Sequence, residues 1–239
     1  MTSQQLPLII PATPDYREAG FLAAPSNEAA RIWLGRTEVW PDRRLALWGE
    51  ADHGKTHLLR IWADRTGADV LDGPSLSGFP EVTSLGGAAV DDAERADATA
   101  LLHLLNTAHD LDRPVLLAAR LPPARWAVTL PDLDSRLRAI TTVEIASPED
   151  DLMGQLLLRW LAERRLIADS ALHDRLLLRL PRNPHVLRAA VVRLDREAHI
   201  SRRRTITPAM VRAALIAGGE DAAAENTAPH PLAPDRAIG

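Results

Sequence analysis

The sequence contains no cysteine, which excludes a disulfide framework, a zinc–thiolate site and a thiol nucleophile. No apolar run approaches the length that a membrane-spanning helix needs. The first residues also lack the basic and apolar regions of a secretion signal. Together these absences predict a cytoplasmic protein with no membrane partner.

Lysine is almost absent, because Lys55 is the only lysine and arginine supplies the rest of the Lys-plus-Arg total of 28. The net charge of −4 gives no overall attraction to nucleic acid. A length of 239 residues, with 46% hydrophobic and 25% charged residues, is ordinary for a soluble protein of one large or two small domains. The place of the one lysine is therefore informative, since an ammonium on a flexible stem differs chemically from a guanidinium.

Lys55 lies in a Gly-x-x-x-x-Gly-Lys-Thr segment between an apolar run over 45–48 and a helical pattern. Strand, glycine-bounded loop and helix in this order predict a phosphate-binding P-loop. Lys55 would reach the β- and γ-phosphates and Thr56 would ligate Mg²⁺, although some of the loop residues are bulkier than is usual. The predicted nucleotide-binding residues here are Gly49, Glu50, Ala51, Asp52, His53, Gly54, Lys55, Thr56 and His57.

A second apolar run, over 87–90, ends in two carboxylates, Asp91 and Asp92. A carboxylate at the end of such a strand can hold Mg²⁺, and the next one can orient the attacking water. We predict that Asp91 is a metal ligand and that Asp92 is catalytic. The alternative is a strand that simply leaves the core into a polar turn.

Strand and helix patterns alternate along the first part of the chain, which predicts an α/β fold with a parallel sheet and helices on both faces. Nucleotide would bind at the carboxyl ends of the strands. Ser26 or Asn27 is expected to cap the first helix, and Asp132 or Asp134 to open a short helix. The predicted strands are 45–48, 69–72, 87–92, 114–119 and 141–145.

The pattern becomes purely helical from Ser147, which is expected to act as an N-cap with Pro148 at the first helical position. Further helices are expected around 170–180 and 184–198 and from 208 onward. The predicted domains are a nucleotide-binding domain over 13–146, a small α-helical lid domain over 147–218 and a disordered tail over 219–239.

Residues 1–12 combine a polar start with a short apolar cluster interrupted by prolines, so they cannot form a helix interior. The segment Gln5-Leu6-Pro7-Leu8 looks like the bacterial sliding-clamp-binding motif, in which a glutamine precedes spaced aliphatic anchors. An extended peptide of this kind can dock in a partner's groove. The alternatives are a disordered tail and a strand packed on the chain's own body.

The order of these features resembles the AAA+ ATPases, and within them the bacterial replication initiator DnaA. The features are the P-loop, the Asp-Asp strand end, Arg-Leu-Pro-Pro from Arg120, Pro-Asp-Leu-Asp-Ser-Arg-Leu from Pro131, and a helical lid. Short DnaA-homologous regulators of the Hda type match better than DnaA itself. The chain stops after the lid without a basic helix-turn-helix domain, and the clamp-like peptide precedes the core. The resemblance covers about residues 5–217.

The resemblance implies an AAA+ fold that binds ADP or ATP with Mg²⁺. It also implies that Arg136 is an arginine finger directed at a neighbour's ATP, with Arg125 and Arg138 as nearby alternatives. The implied partners are DnaA and the DNA polymerase III sliding clamp (beta subunit), with a possible homo-oligomer and no direct sequence-specific DNA binding. The expected function is negative regulation of replication initiation, by stimulating hydrolysis of DnaA-bound ATP.

The chain departs from the family pattern in two places. The strand that usually ends in a polar sensor ends here in Ala118-Ala119, which puts intrinsic ATP hydrolysis in doubt. In the lid, both Arg182 and Arg188 could be the sensor arginine, and simple register counting falls on His185. We take Arg188 as the nucleotide-binding candidate.

Two other functions are compatible with the same residues. One is a self-contained AAA+ ATPase of the helicase-loader or clamp-loader type, which would turn over ATP without DnaA. The other is a non-catalytic adaptor in which the nucleotide fold is only a scaffold. In the adaptor, substitution of Lys55 would leave partner binding and partner hydrolysis unchanged.

Overall fold

The computed structural model of the protein describes Tyr16 and residues 18–215. The chain divides into two compact units, with the boundary between Ala146 and Ser147. The predicted clamp-binding peptide over 1–12 and the predicted tail over 219–239 lie outside the described residues. Within the described part, the helices are too short or too polar to cross a membrane.

The first unit is built around a five-stranded sheet in which all neighbouring strands run parallel. The order of the strands across the sheet is β2-β3-β4-β1-β5. The loop after β1 is therefore flanked by the carboxyl ends of β4 and β5, and the predicted parallel α/β architecture is confirmed. The strands are β1 (Arg44–Trp48), β2 (Asp69–Asp72), β3 (Ala88–Asp91), β4 (Val115–Ala119) and β5 (Thr141–Glu144).

Helices cover both faces of this sheet, as predicted. Successive residues of a strand point to opposite faces, so Ala46 packs with α3 and α4 while Leu45 and Leu47 pack with α1 and α2. Because both faces are buried, the central strands read as continuous apolar runs. The helices are α1 (Pro25–Leu34), α2 (Lys55–Thr66), α3 (Ala98–Asp110) and α4 (Pro131–Ala139).

Over residues 147–215, the regular structure of the second unit is helical apart from an isolated parallel bridge between Ile167 and Thr205. Its apolar core takes Leu157, Leu176, Leu187 and Val211 from four different helices. Four helices of this length bury one apolar face each and need no sheet. The helices are α5 (Asp150–Glu163), α6 (Ser170–Arg179), α7 (Pro184–Ile200) and a further helix over 208–215.

The predicted start of α1 was wrong by two to three residues. The helix begins at Pro25 with Ala24 as its N-cap, whereas Ser26 or Asn27 was expected to cap it. Proline is favoured at the first helical position because its φ is already helical and it has no N–H to satisfy. Asn27 instead serves from inside the first turn, where its side chain accepts a hydrogen bond from the Ala24 N–H at 3.1 Å.

The predicted starts of two later helices were also wrong. Helix α4 begins at Pro131, one residue before the expected Asp132, again because proline suits the first turn. Helix α5 begins later than predicted, at Asp150 with Glu149 as N-cap. The chain leaving β5 stays extended there, since the Ala146 N–H donates a hydrogen bond at 3.0 Å to the carbonyl of Ser26, in the first turn of α1.

Candidate phosphate-binding site

The loop over 49–54 joins β1 to α2 and is bounded by two glycines that no other residue could replace without strain. Gly49 lies against the end of the sheet, where a Cβ atom would come within 2.5 Å of the Ile145 carbonyl oxygen. Gly54 precedes the first residue of α2 with φ +94°, a left-handed conformation that L side chains rarely adopt. The strand–loop–helix arrangement predicted around Lys55 is therefore the one that forms.

Two of the bulky loop residues, His53 and Glu50, differ in how far their side chains are exposed. The His53 side chain is 4% exposed, and its Nδ1 lies 3.1 Å from the Ile145 carbonyl oxygen. The Glu50 side chain, in contrast, is 85% exposed. His53 thus connects the loop to Ile145, the residue after β5, whereas the Glu50 side chain lies in solvent and does not fill the loop interior.

Lys55 is the first residue of α2 and is only 7% exposed. Its ammonium donates hydrogen bonds to the Gly49 carbonyl at 2.8 Å and the Glu50 carbonyl at 2.6 Å. Burial lowers the pKa of Lys55, and the carboxylates of Glu94 and Asp91 oppose that shift. A buried cation at the positive end of a helix is unfavourable for folding alone. An anion bound in the loop would offset that cost.

Thr56 and Asp91 bring a hydroxyl and a carboxylate together at the edge of the sheet. The Thr56 hydroxyl is hydrogen-bonded to the Asp91 carboxylate, and burial raises the pKa of that carboxyl above its usual value. Oxygen ligands of this kind suit Mg²⁺, which keeps several waters and binds through a few protein oxygens and phosphates. Within the described residues, no group of three His, Cys, Asp or Glu side chains could hold a metal ion. Mg²⁺ here would therefore depend on a bound phosphate.

Asp92 was predicted to orient the attacking water. Its charge affects the pKa of Lys55 less than the charge of Glu94 does. Its backbone is left-handed (φ 48°), and its 40% exposed side chain lies 3.7 Å from an Arg95 guanidinium nitrogen. Glu94 has the larger electrostatic effect on Lys55. Sequence reasoning missed Glu94, which lies in the short 3₁₀ turn after β3.

Arg120 was also missed as a component of the site. Strand β4 ends with the fully buried Ala118 and Ala119, which sequence reasoning treated as the sensor position. The next residue, Arg120, is exposed, and its positive charge contributes to lowering the pKa of Lys55. A positive charge that acts on Lys55 therefore lies directly after the end of β4.

Arg136 is found at the other end of the sheet. Its charge contributes to lowering the pKa of the buried Arg44, after the larger effect of burial. Arg44 begins β1, whereas the phosphate-binding loop follows the last residue of the same strand. In the neighbouring turn of α4, Arg138 is occupied by an ion pair with Asp134 at 2.9 Å. Within the described residues, Arg136 has no such ion pair.

The lid candidates are all found in the second unit. The Arg188 guanidinium lies 6.0 Å from the centre of the Trp160 ring. Arg182 pairs with Asp150 at 2.8 Å, and the His185 backbone N–H is bonded to a capping side chain at the start of α7. The predicted clamp-binding residues Gln5, Leu6, Pro7 and Leu8 lie outside the described residues.

No family model matches the sequence, and no curated protein matches it. Solved structures do match its fold. Domain III of the Thermotoga maritima replication initiation protein DnaA is 17% identical, with a TM-score of 0.70, over 87% of this chain and 98% of that one. DnaA bound to AMPPCP and single-stranded DNA is 17% identical, with a TM-score of 0.63, over 80% and 69%.

A third similar structure is the Thermotoga maritima RuvB Holliday junction branch migration motor. It is 18% identical, with a TM-score of 0.60, over 80% of this chain and 66% of that one. At these identities the likeness concerns the fold alone. The chain has the AAA+ P-loop fold that DnaA and RuvB share.

Proposed function

We propose that this protein binds ADP or ATP with Mg²⁺ and stimulates the hydrolysis of ATP held by DnaA, as Hda-type regulators do. The observation that carries the proposal is that its two key cationic side chains, Lys55 and Arg136, are associated with opposite ends of β1. Lys55 follows the carboxyl end of β1, and Arg136 influences Arg44 at the amino end of that strand. A guanidinium at the opposite edge of the sheet cannot serve the chain's own phosphate-binding loop but can reach a neighbour's nucleotide.

The nucleotide is held, in this proposal, by the loop residues Gly49 to His57. Bound Mg²⁺ would be shared between Thr56, Asp91 and the phosphates, and it would neutralise charge on them. One of the similar DnaA structures contains AMPPCP, which supports an adenine nucleotide as ligand. The nucleotide then shapes the surface that carries Arg136.

The finger is assigned to Arg136 because its neighbour on the same helix is occupied. Arg138 is paired with Asp134, and a paired guanidinium must lose that partner before it can bind a phosphate. An arginine finger supplied in trans raises phosphoryl-transfer rates by about 10³–10⁵-fold. DnaA is the proposed recipient, and Gln5-Leu6-Pro7-Leu8 is the proposed tether to the sliding clamp.

The test is an ATPase assay of DnaA with DNA-loaded sliding clamp and this protein. Wild type should stimulate hydrolysis, Arg136→Ala should abolish the stimulation, and Arg138→Ala should retain most of it. Full stimulation by Arg136→Ala would remove the finger assignment. A pull-down on the clamp should fail for a variant with Gln5 and Leu6 changed to Ala, and undiminished binding would remove the tether.

One observation favours a second function, a self-contained AAA+ ATPase. Arg120 follows β4 and its charge acts on Lys55, so in this second proposal Arg120 takes the sensor role that Ala118 and Ala119 cannot fill. This function predicts steady ATP turnover by the isolated protein without DnaA. An isolated protein that hydrolyses no ATP would contradict it.

A further inference from the structure

The two units differ in the sign of their charge. Residues 147–215 contain thirteen arginines against eight aspartates and glutamates, whereas residues 18–146 contain thirteen lysines and arginines against nineteen aspartates and glutamates. The net charge of −4 for the whole chain therefore conceals a basic helical unit. Charge of one sign gathered in one part of a chain is typical of a surface that meets a polyanion.

Five arginines lie together where α5 and α7 end. Backbone pairing joins the two turns, because the Ile167 N–H donates to the Arg204 carbonyl at 2.9 Å and the Ile206 N–H donates to the Ile167 carbonyl at 2.8 Å. The Arg204 guanidinium also donates to the Arg164 carbonyl at 3.3 Å. The group, called the arginine cluster below, consists of Arg164 and Arg165 after α5 and of Arg202, Arg203 and Arg204 after α7.

Two members of the cluster have a backbone conformation that does not suit arginine. Arg165 (φ 55°) and Arg202 (φ 51°) are left-handed. Helices favour glycine at this point because an L side chain there is strained, and α2 does end in Gly67, with φ 72°. The attraction of a cation to the negative end of a helix is weaker than this strain, and Arg179, in the last turn of α6, obtains it without strain. The two guanidinium groups therefore have a role outside the fold.

The cluster is open to solvent and has little counter-charge of its own. All its members except the half-buried Arg164 are exposed. Arg204 lies 3.8 Å from the Asp195 carboxylate, and Arg164 donates to a carbonyl within α5 at 3.4 Å. The three others form no ion pair with any residue that the structure describes. Three guanidinium groups are therefore available to an anion from outside.

The chemistry of the cluster favours the phosphate backbone of nucleic acid over other polyanions. A guanidinium can donate two parallel hydrogen bonds to one phosphate, and two adjoining turns can meet successive phosphates. A membrane surface would also need an apolar helix face, but those of α5 and α7 are buried in the core of the unit, for example at Leu157 and Leu194. A protein partner would need a pocket for an apolar anchor, whereas exposed turns at helix ends mainly offer charge.

We propose that the arginine cluster binds the phosphate backbone of duplex DNA, independently of its sequence. Counterions released from the DNA would supply most of the affinity. The cluster contains no aromatic side chain on which unpaired bases could stack, which favours a duplex over a single strand. This binding uses other residues than the proposed nucleotide binding, and all of them lie in the second unit.

Two glycine substitutions separate the charge from the fold. In Arg165→Gly/Arg202→Gly both guanidinium groups are removed, while the left-handed backbone becomes one that the new residue adopts readily. The variant should therefore melt at the same temperature as wild type or above it. The matched control is Arg175→Gln/Arg179→Gln, which removes two exposed arginines from α6.

The experiment is fluorescence anisotropy of a labelled duplex of mixed sequence, titrated with the full chain at several salt concentrations without nucleotide. At low salt, Arg165→Gly/Arg202→Gly should bind at least about tenfold more weakly than wild type, whatever the sequence of the duplex. Its slope of log K against log salt should be less negative by about 2, since each lost phosphate contact accounts for about 0.9. The control variant should keep the wild-type slope.

Four results would overturn the inference. They are a wild-type chain that binds no duplex at low salt, an equal loss of slope in the α6 control, tighter binding of a single strand of the same length, and binding of anionic phospholipid vesicles but not of DNA. The control result would assign the effect to positive charge in general, and the vesicle result would assign it to a membrane surface. Because no nucleotide is present, none of these results bears on the proposed function.

Discussion

The Thr56 hydroxyl is hydrogen-bonded to the Asp91 carboxylate, so the start of α2 and the end of β3 are joined at the edge of the sheet. The two residues come from different strand–helix units and lie on either side of β4 in the order of the sheet. Each offers the kind of oxygen that Mg²⁺ prefers.

Removing the Thr56 hydroxyl should abolish the contribution of Mg²⁺ to nucleotide binding. In Thr56→Val, the affinity for ADP measured without metal should stay within about twofold of wild type, while the gain on adding Mg²⁺ should fall by about tenfold or more. Calorimetry with and without Mg²⁺ measures both. A full Mg²⁺ effect in Thr56→Val would exclude this residue as a ligand.

Substitution of Lys55 should remove nucleotide binding without harming the fold. Lys55→Met keeps the apolar stem but deletes a buried ammonium from the positive end of α2, so the unliganded protein should melt at the same or a higher temperature. Wild type should gain about 2.7 kcal/mol of stability at an ADP concentration 100 times Kd. Lys55→Met should gain none of it, as measured by thermal melts with and without ADP.

A Lys55→Met protein that melts well below wild type without ligand would show that the ammonium is a structural group. Retention of the full ADP-induced rise would mean that the nucleotide is held elsewhere. Lys55→Arg is the matched control for charge. It should not restore binding, because a planar guanidinium does not replace a compact ammonium in this loop.

The Asp91 carboxyl should make stability depend on pH. Its folded-state pKa is raised by burial, so the folded protein binds this proton more tightly than the unfolded chain does. Ionised Asp91 therefore lowers the free energy of unfolding at pH values above the folded-state pKa. This loss of stability disappears as the pH falls through the folded-state pKa toward the ordinary carboxyl pKa of 3.8. Asp91→Asn should melt about 1–3 °C above wild type at neutral pH.

The difference in melting temperature between Asp91→Asn and wild type should shrink as the pH is lowered through this window. Melting curves of both proteins over a pH series, without nucleotide or metal, provide the measurement. The opposite trend, an advantage that grows on acidification, would mean that the Asp91 carboxylate is stabilised in the fold. Asp112→Asn, on the exposed surface, is a suitable comparison.

The close approach at Gly49 should make alanine costly there. A Cβ atom would lie 2.5 Å from the Ile145 carbonyl oxygen, so Gly49→Ala must move backbone and should lose about 1–3 kcal/mol of unfolding free energy. Gly67→Ala separates this clash from backbone strain, since Gly67 has φ +72° with open space around it. Gly67→Ala should lose about 1 kcal/mol of unfolding free energy. Urea unfolding measures both, and equal losses would argue against the clash.

Much of the fold could be predicted because its signals are local. The apolar run before Gly49, the helical pattern after Thr56 and the carboxylates at Asp91 and Asp92 each depend on a few consecutive residues. Helix starts were less certain, since Pro25 and Ser26 are both good first-turn residues and only the surrounding chain selects one. The lid elements were predictable for the same local reason.

The roles of Glu94 and Arg120 could not be predicted, because neither belongs to a recognisable short pattern. Their contact joins residues 26 positions apart through a backbone N–H, and a sequence does not show where a backbone donor will point. The end of β4 itself was predicted, since the apolar run over 114–119 stops at Ala119 as the strand does.

The sequence alone determined the glycine-bounded loop between a strand and a helix, with its one lysine, because glycine spacing and a strand-to-helix transition are properties of contiguous residues. It also determined the parallel α/β architecture, through alternating apolar segments. Tertiary structure decided which side chains meet at the carboxyl edge of the sheet and which lie at the other edge. Lys55, Glu94 and Arg120 come together, and Arg136 is apart from them, because strand order and direction are set by long-range pairing.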